Sequence, residues 1–157
     1  MASQNSLSSL LANNLIKAYT GSNWTHVSIL ETIKSLNYSQ AQQLTNASPN
    51  TIASILNHLK YWNGIISARL DGQYPIVPDS NGFDVAILQS EEDWQSLIGE
   101  TQASFEKLAA EISSITTDKW DNRPAPHSGT MREHVFGIVE HAYYHLGQIV
   151  IISHLVK

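Results

Sequence analysis

Along four long stretches of this 157-residue chain, apolar side chains recur every three to four residues, and no strand-type alternation with hairpin signals interrupts them. Each such stretch reads as an amphipathic helix whose apolar face has to be covered by another element. Four helices that cover one another make a bundle, so the pattern predicts an all-α fold, a four-helix bundle.

The first stretch carries Leu7, Leu10, Leu11, Leu15 and Ala18, predicts a helix over residues 5–19, and is broken by Thr20-Gly21-Ser22-Asn23. A second piece over 28–36 opens with Ser28-x-x-Glu31, a capping box, and the two pieces form one broken first layer. Ser48-Pro49-Asn50 then marks a helix start, with Ser as cap and Pro at the first helical position. Its apolar line is Ile52, Ile55, Leu56, Leu59, Trp62, Ile66 and Leu70, and Asp71-Gly72 ends it. Ser90-x-x-Asp93 opens the third long helix, which runs through Trp94, Leu97, Ile98, Phe105, Leu108 and Ile112 to Ile115. The loop Asp121–Ser128 holds Pro124 and Pro126 and cannot be helical. Thr130-x-x-Glu133 is a capping box for the last helix, which runs to Leu155. Between the second and third long helices, residues 71–89 hold two prolines and two glycines with no clear period. Antiparallel neighbours in a bundle need only about 2–8 residues, so this connection predicts a crossover.

The length predicts one domain, residues 1–157. Lys and Arg total 9 against 14 Asp and Glu, and they form no cluster, so neither nucleic acid nor an anionic membrane surface is expected as a partner. There is no cysteine, which excludes disulfides, cysteine-ligated zinc, iron–sulfur clusters and thiol nucleophiles from the chain's own side chains. Thiol chemistry would have to come from a bound small molecule. The segment MASQNSLSSLLANNLIK lacks a basic start and a sustained apolar run, and no stretch approaches 18 uninterrupted apolar residues. A soluble, cytoplasmic protein is the expectation.

The chemistry-bearing residues are histidines. His141 and His145 lie four residues apart in HAYYHLGQI, so a helix puts both imidazoles on one face, one turn apart. They lie beside the apolar ridge Val135, Ile138, Val139, Ala142, Leu146, Ile149 and Val150, and so face inward or toward a cleft. His58 lies on a separate amphipathic helix, in ILNHLKYWN. Together the three can give a divalent cation three nitrogen ligands and one open position. The same pattern also fits hydrogen-bonded core histidines or surface ones, and the H-x-x-x-H spacing alone does not choose. A metal would need an acceptor for each remaining ring N–H; Gln148, near His145, and Asn57, beside His58, are the candidates. Ala142 follows His141 where a metalloprotease helix carries its general-base Glu, which disfavours a protease. His134 lies nearly two turns before His141, about 10 Å along the helix, and is a pocket-lining or structural residue in this reading. His26, His127 and His154 carry no such signal. Trp24, Trp94 and Trp120 read as packing residues, whereas Trp62, one turn from His58, is a candidate pocket wall.

NTIASILNHLKYWNGIISARLDG, followed about sixty residues later by MREHVFGIVEHAYYHLGQI, resembles the DinB/YfiT-like superfamily of small bacterial helical bundles, and NWTHVSILETI resembles its first-helix region. The resemblance covers essentially the whole chain. It implies an up-down-down-up four-helix bundle, a divalent metal (zinc or nickel) held by His58, His141 and His145, and a homodimer. It also implies a small-molecule substrate. Relatives include S-transferases and isomerases that use low-molecular-weight thiols, and others described as hydrolases. A thiol-dependent S-transferase or related reaction is therefore the leading expectation, with a metal-dependent hydrolase as the alternative. A non-catalytic stress protein that binds a metal or a small ligand stands outside both. No general base is evident, because Glu140 points about 100° away from His141 around the helix and Glu133 and His134 lie lower.

Overall fold

The computed structural model describes residues 6–157. Its helices are α1 (Leu7–Thr20), α2 (Ile29–Ile33), α3 (Tyr38–Ala41), α4 (Ile52–Leu70), α5 (Glu91–Ser113) and α6 (Met131–Leu155), with a 3-10 turn at Thr117–Lys119. Among the described residues there is no strand, only an isolated Thr45–Ser48 bridge, so the chain is all-α.

Helix starts follow the hydroxyl caps. Ser90 and Thr130 each accept from the backbone N–H three residues on, and Asp93 and Glu133 reach back to complete the boxes. Ser28 caps α2 in the first half of the same pattern. The expected start of the first helix at residue 5 lies outside the described residues; α1 begins after Ser6, which caps it. The helix expected from Ser48 instead begins after Thr51, which forms a reciprocal box with Ser54. Pro49 disfavours helical backbone at the residue before it, and the Ser48 hydroxyl serves a turn, accepting from Asn50 N–H. The sequence reading passed over α3, a single turn boxed by Asn37 and Gln40. α5 stops two residues short of Ile115, whose carbonyl accepts from the Ser8 hydroxyl of α1.

The long helices α1 and α4 each pack against both α5 and α6, so α1 and α4 occupy opposite corners of one bundle. α2 lies against α6 and α1. Leu15, Tyr19, Leu56, Leu59, Trp94, Phe105, Leu108, Val135 and Ile149 meet in the core. The polar ends of two fully buried core aromatics are satisfied there: Tyr19 donates to Ile98 O at 2.9 Å and the Trp94 indole to Leu36 O at 3.0 Å. Trp120 is buried too, but Trp24 is 95% exposed and is no core residue. It sits on the α1–α2 connection, where Ser22 and His26 both adopt left-handed backbone, and the tight turns carry it outward. α6 is long and apolar enough, by length and composition, to cross a membrane. The same composition serves a helix that packs on α1, α2 and α4.

Two sets of polar contacts fix the register around α4. Toward α5, Lys60 meets Glu100, Asn63 meets Ser104 and Ser67 meets Lys107. Toward α6, His58 meets His141 and Arg69 meets His134. The 71–89 connection returns along α4, where Asn57 donates to Gly82 O and the Trp62 indole donates to the Asn81 side chain. Gln42 and Leu88 exchange two hydrogen bonds at its far end.

Candidate metal centre

His58 projects from the buried side of α4, and His141 and His145 project one turn apart from α6. Packing of α4 on α6 brings one ligand atom of each to within 4.8 Å of the others. Among the described residues no fourth histidine or carboxylate joins this group. The His58 ring centroid lies 4.9 Å from that of His141 and 4.7 Å from that of His145.

Carbonyl acceptors set two of the three tautomers. His58 Nδ1 lies 2.6 Å from Asn81 O, and a carbonyl can only accept. The proton therefore sits on Nδ1, and Nε2 of the neutral ring presents a lone pair to the cluster. His145 Nδ1 lies 2.7 Å from Gln148 Oε1, with the same result. Gln148 is itself oriented, because its Nε2 donates to the Tyr144 hydroxyl. His141 Nε2 faces His58 Nε2 at 2.8 Å, while its Nδ1 is buried without a partner. This donor set fits a divalent cation: three imidazoles converge, and two have the N–H-to-carbonyl support that ligating histidines use.

Electrostatics agree. Burial pushes the His141 imidazole down to about 3, and the neighbouring His145 and His58 add to the shift. Burial pushes His145 down to about 4 against the opposing pull of Gln148. Burial also lowers His58, partly offset by the Asn81 carbonyl. All three rings are thus neutral near pH 7, the form that ligates a metal.

The Asn81 carbonyl reaches His58 through an unusual turn. Asn81 and Gly82 both have positive φ, at 52° and 77°. A Cβ at residue 82 would lie 2.6 Å from Tyr61 Cβ, so glycine is required for both conformation and space. The next residue, Phe83, stacks on the His58 ring at 3.9 Å with a 9° interplanar angle. The loop therefore clamps His58 by one hydrogen bond and one ring face.

The other residues singled out in the sequence fall around this centre. Asn57 does not serve His58: it points to Gly82 O, and Asn81 supplies the acceptor. Trp62 stands 6.0 Å from His141, ring to ring, and lines a cavity of about 370 Å³ with His58, Arg69, His134, Ile138 and His141. His134 is not in the metal cluster; its Nδ1 lies 3.4 Å from Arg69 Nη1. Glu133 also lines the cavity, but its carboxylate is turned to the Thr130 backbone and hydroxyl.

The DinB superfamily family model matches residues 23–149, which include all three histidines of the cluster. The chain belongs to the DinB superfamily. No curated protein and no solved structure matches it. Superfamily membership and the three-histidine group together are compatible with metal binding.

Asn81, Phe83 and Arg69 escaped the sequence reading. Asn81-Gly82 is a turn signal inside a segment read only as a spacer. Arg69 continues the Trp62–Ile66 stripe at helical spacing, where a charged residue stands out on an apolar face.

Proposed function

We propose that His58, His141 and His145 hold one divalent cation, zinc or nickel, with a fourth position left open, and that the protein uses it in a thiol-dependent S-transfer or related reaction on a small molecule. The observation that carries this reading is the pair of imidazoles whose Nδ1–H groups are tied to carbonyls, which leaves their Nε2 lone pairs pointing into the cluster. When bound, the cation would supply a Lewis acid whose charge three neutral imidazoles leave uncompensated, acidifying a thiol at the open position. The chain's own residues then hold and enclose. Asn81 and Gln148 keep the imidazoles oriented, and Phe83 covers His58. Trp62, Ile66 and Ile138 wall the adjoining cavity and limit water around a bound substrate. With no cysteine in the chain, the thiol comes from a cosubstrate.

Hydrolysis is the second reading. It asks for a base beside the attacking water, and the carboxylate that lines the cavity, Glu133, is committed to the Thr130 cap. That favours thiol transfer. We read the scaffold as an up-down-down-up bundle. The α4–α5 contacts advance together along both helices, whereas 58 with 141 and 69 with 134 run oppositely along α4 and α6; both support that reading.

Elemental analysis of untagged protein purified without chelator or added metal tests the centre. About one zinc or nickel per chain is expected, absent from His58→Ala and His141→Ala while far-UV circular dichroism stays helical. Wild-type protein that carries no metal, and binds added zinc no tighter than the variants do, would remove the enzyme reading.

A further inference from the structure

The end of the cavity away from the metal cluster is built around a cation without a counter-ion. Arg69 is only 8% exposed, and among the described residues no carboxylate lies within ion-pair distance of its guanidinium. Among the described residues its Nε is buried without a partner. The guanidinium carbon sits 5.6 Å from the Trp62 ring centroid and 4.6 Å from that of Tyr74. Those ring faces offset part of the lost hydration but leave the N–H edge free.

His134 adds a second donor. A guanidinium can only donate, so His134 Nδ1 accepts from Arg69 and the ring proton sits on Nε2. That Nε2 is buried and unpartnered as well. Burial, and then the Arg69 charge, lower the His134 pKa, so the ring is neutral and does not compete with Arg69 for an anion. The remaining charged group on the cavity wall, Glu133, has its carboxylate engaged at Thr130.

Two buried, unpartnered donors, one on a guanidinium without a counter-ion and one on a neutral imidazole, are best complemented by an acceptor that carries negative charge, an oxyanion. Trp62 links this end to the metal cluster, since its ring touches both the Arg69 guanidinium and the His141 side of the cavity. The volume of about 370 Å³ suits a small organic molecule.

We propose that Arg69 and His134 form an anion subsite, which receives a carboxylate or phosphate group of the substrate whose reactive end lies at the three histidines. The assignment of that reactive end rests on the metal-centred reading above. The anion subsite itself does not.

Sodium acetate, inorganic phosphate and neutral acetamide are titrated at constant ionic strength into the protein as purified, and the Trp62 indole N–H is followed by NMR. Saturable shifts are expected with at least one anion and none with acetamide; which anion binds tells carboxylate from phosphate. Arg69→Gln should weaken that binding at least tenfold with metal content unchanged, and Arg69→Lys should retain part of it. His141→Ala should keep it, which separates the subsite from anion ligation at the metal. If neither anion moves the Trp62 signal, or if Arg69→Gln binds as wild type does, the proposal falls. Should Arg69→Gln fail to fold, the wild-type titration at Trp62 with the acetamide control decides. Anion binding without metal would sink only the metal reading, and metal without anion binding only this one.

Discussion

At the residue scale, the centre depends on acceptors as much as on ligands. Gln148 accepts the His145 Nδ1–H hydrogen bond and is braced by Tyr144, so Gln148→Ala leaves His145 free to rotate and change tautomer. Loss of such a support typically weakens metal affinity about 10–100-fold, and competition with a chromophoric chelator should show a drop in that range. The depressed histidines also predict acid sensitivity. In metal-free protein, His141 at about 3 and His145 at about 4 stay neutral while an unfolded chain protonates near the ordinary value of 6.5. The unfolded state therefore binds more protons below about pH 6.5. Their contribution to stability is complete above that pH and is lost progressively as pH falls from about 6.5 to the folded values of about 4 and 3. Urea midpoints of chelator-treated wild type should fall between pH 7.5 and 5, and less steeply in His141→Ala. A midpoint independent of pH over that window would contradict the assigned burial.

At the element scale, α4 and the loop after it place the site. Thr51 caps α4 reciprocally with Ser54. Thr51→Ala should lower stability by about 1 kcal/mol, read from urea unfolding, and leave metal content unchanged because His58 lies two turns away. Gly82→Ala should behave differently. It adds a Cβ into Tyr61 at a positive-φ position, so it shifts the Asn81 carbonyl and the Phe83 ring off His58. Metal affinity should fall more than stability does. A substitution that lowers both in proportion would mean that the loop is merely packing.

At the scale of the whole molecule, the bundle is the frame that holds α4 and α6 at ligating distance. Phe105 is fully buried against Tyr19, with ring centroids 4.9 Å apart. Phe105→Ala should cost about 3–5 kcal/mol, without touching any residue of the metal cluster. Metal loading should act in the opposite direction. A cation that binds the folded chain alone at a hundred times its dissociation constant adds about 2.7 kcal/mol. Differential scanning calorimetry should therefore show a zinc-dependent rise in melting temperature that vanishes in His58→Ala.

The four apolar stripes, the caps at Ser28, Ser90 and Thr130 and the H-x-x-x-H pair are local, periodic signals, and they were legible because helix geometry converts spacing into direction. The start of α4 was misplaced because Ser48 and Thr51 are both competent caps, and only the turn between them decides which serves. The acceptor for His58 was misread as Asn57, its neighbour in sequence, when it is a backbone carbonyl 23 residues on. A carbonyl carries no side-chain identity, so no sequence pattern announces it. Arg69 and His134 lie 65 residues apart and are neighbours through the packing of α4 on α6. The sequence by itself determined which long helices form and that three histidines could ligate a metal. Only the tertiary structure decided which lone pairs meet and which donors are left unpaired, because those depend on how separately folding segments come to rest against one another.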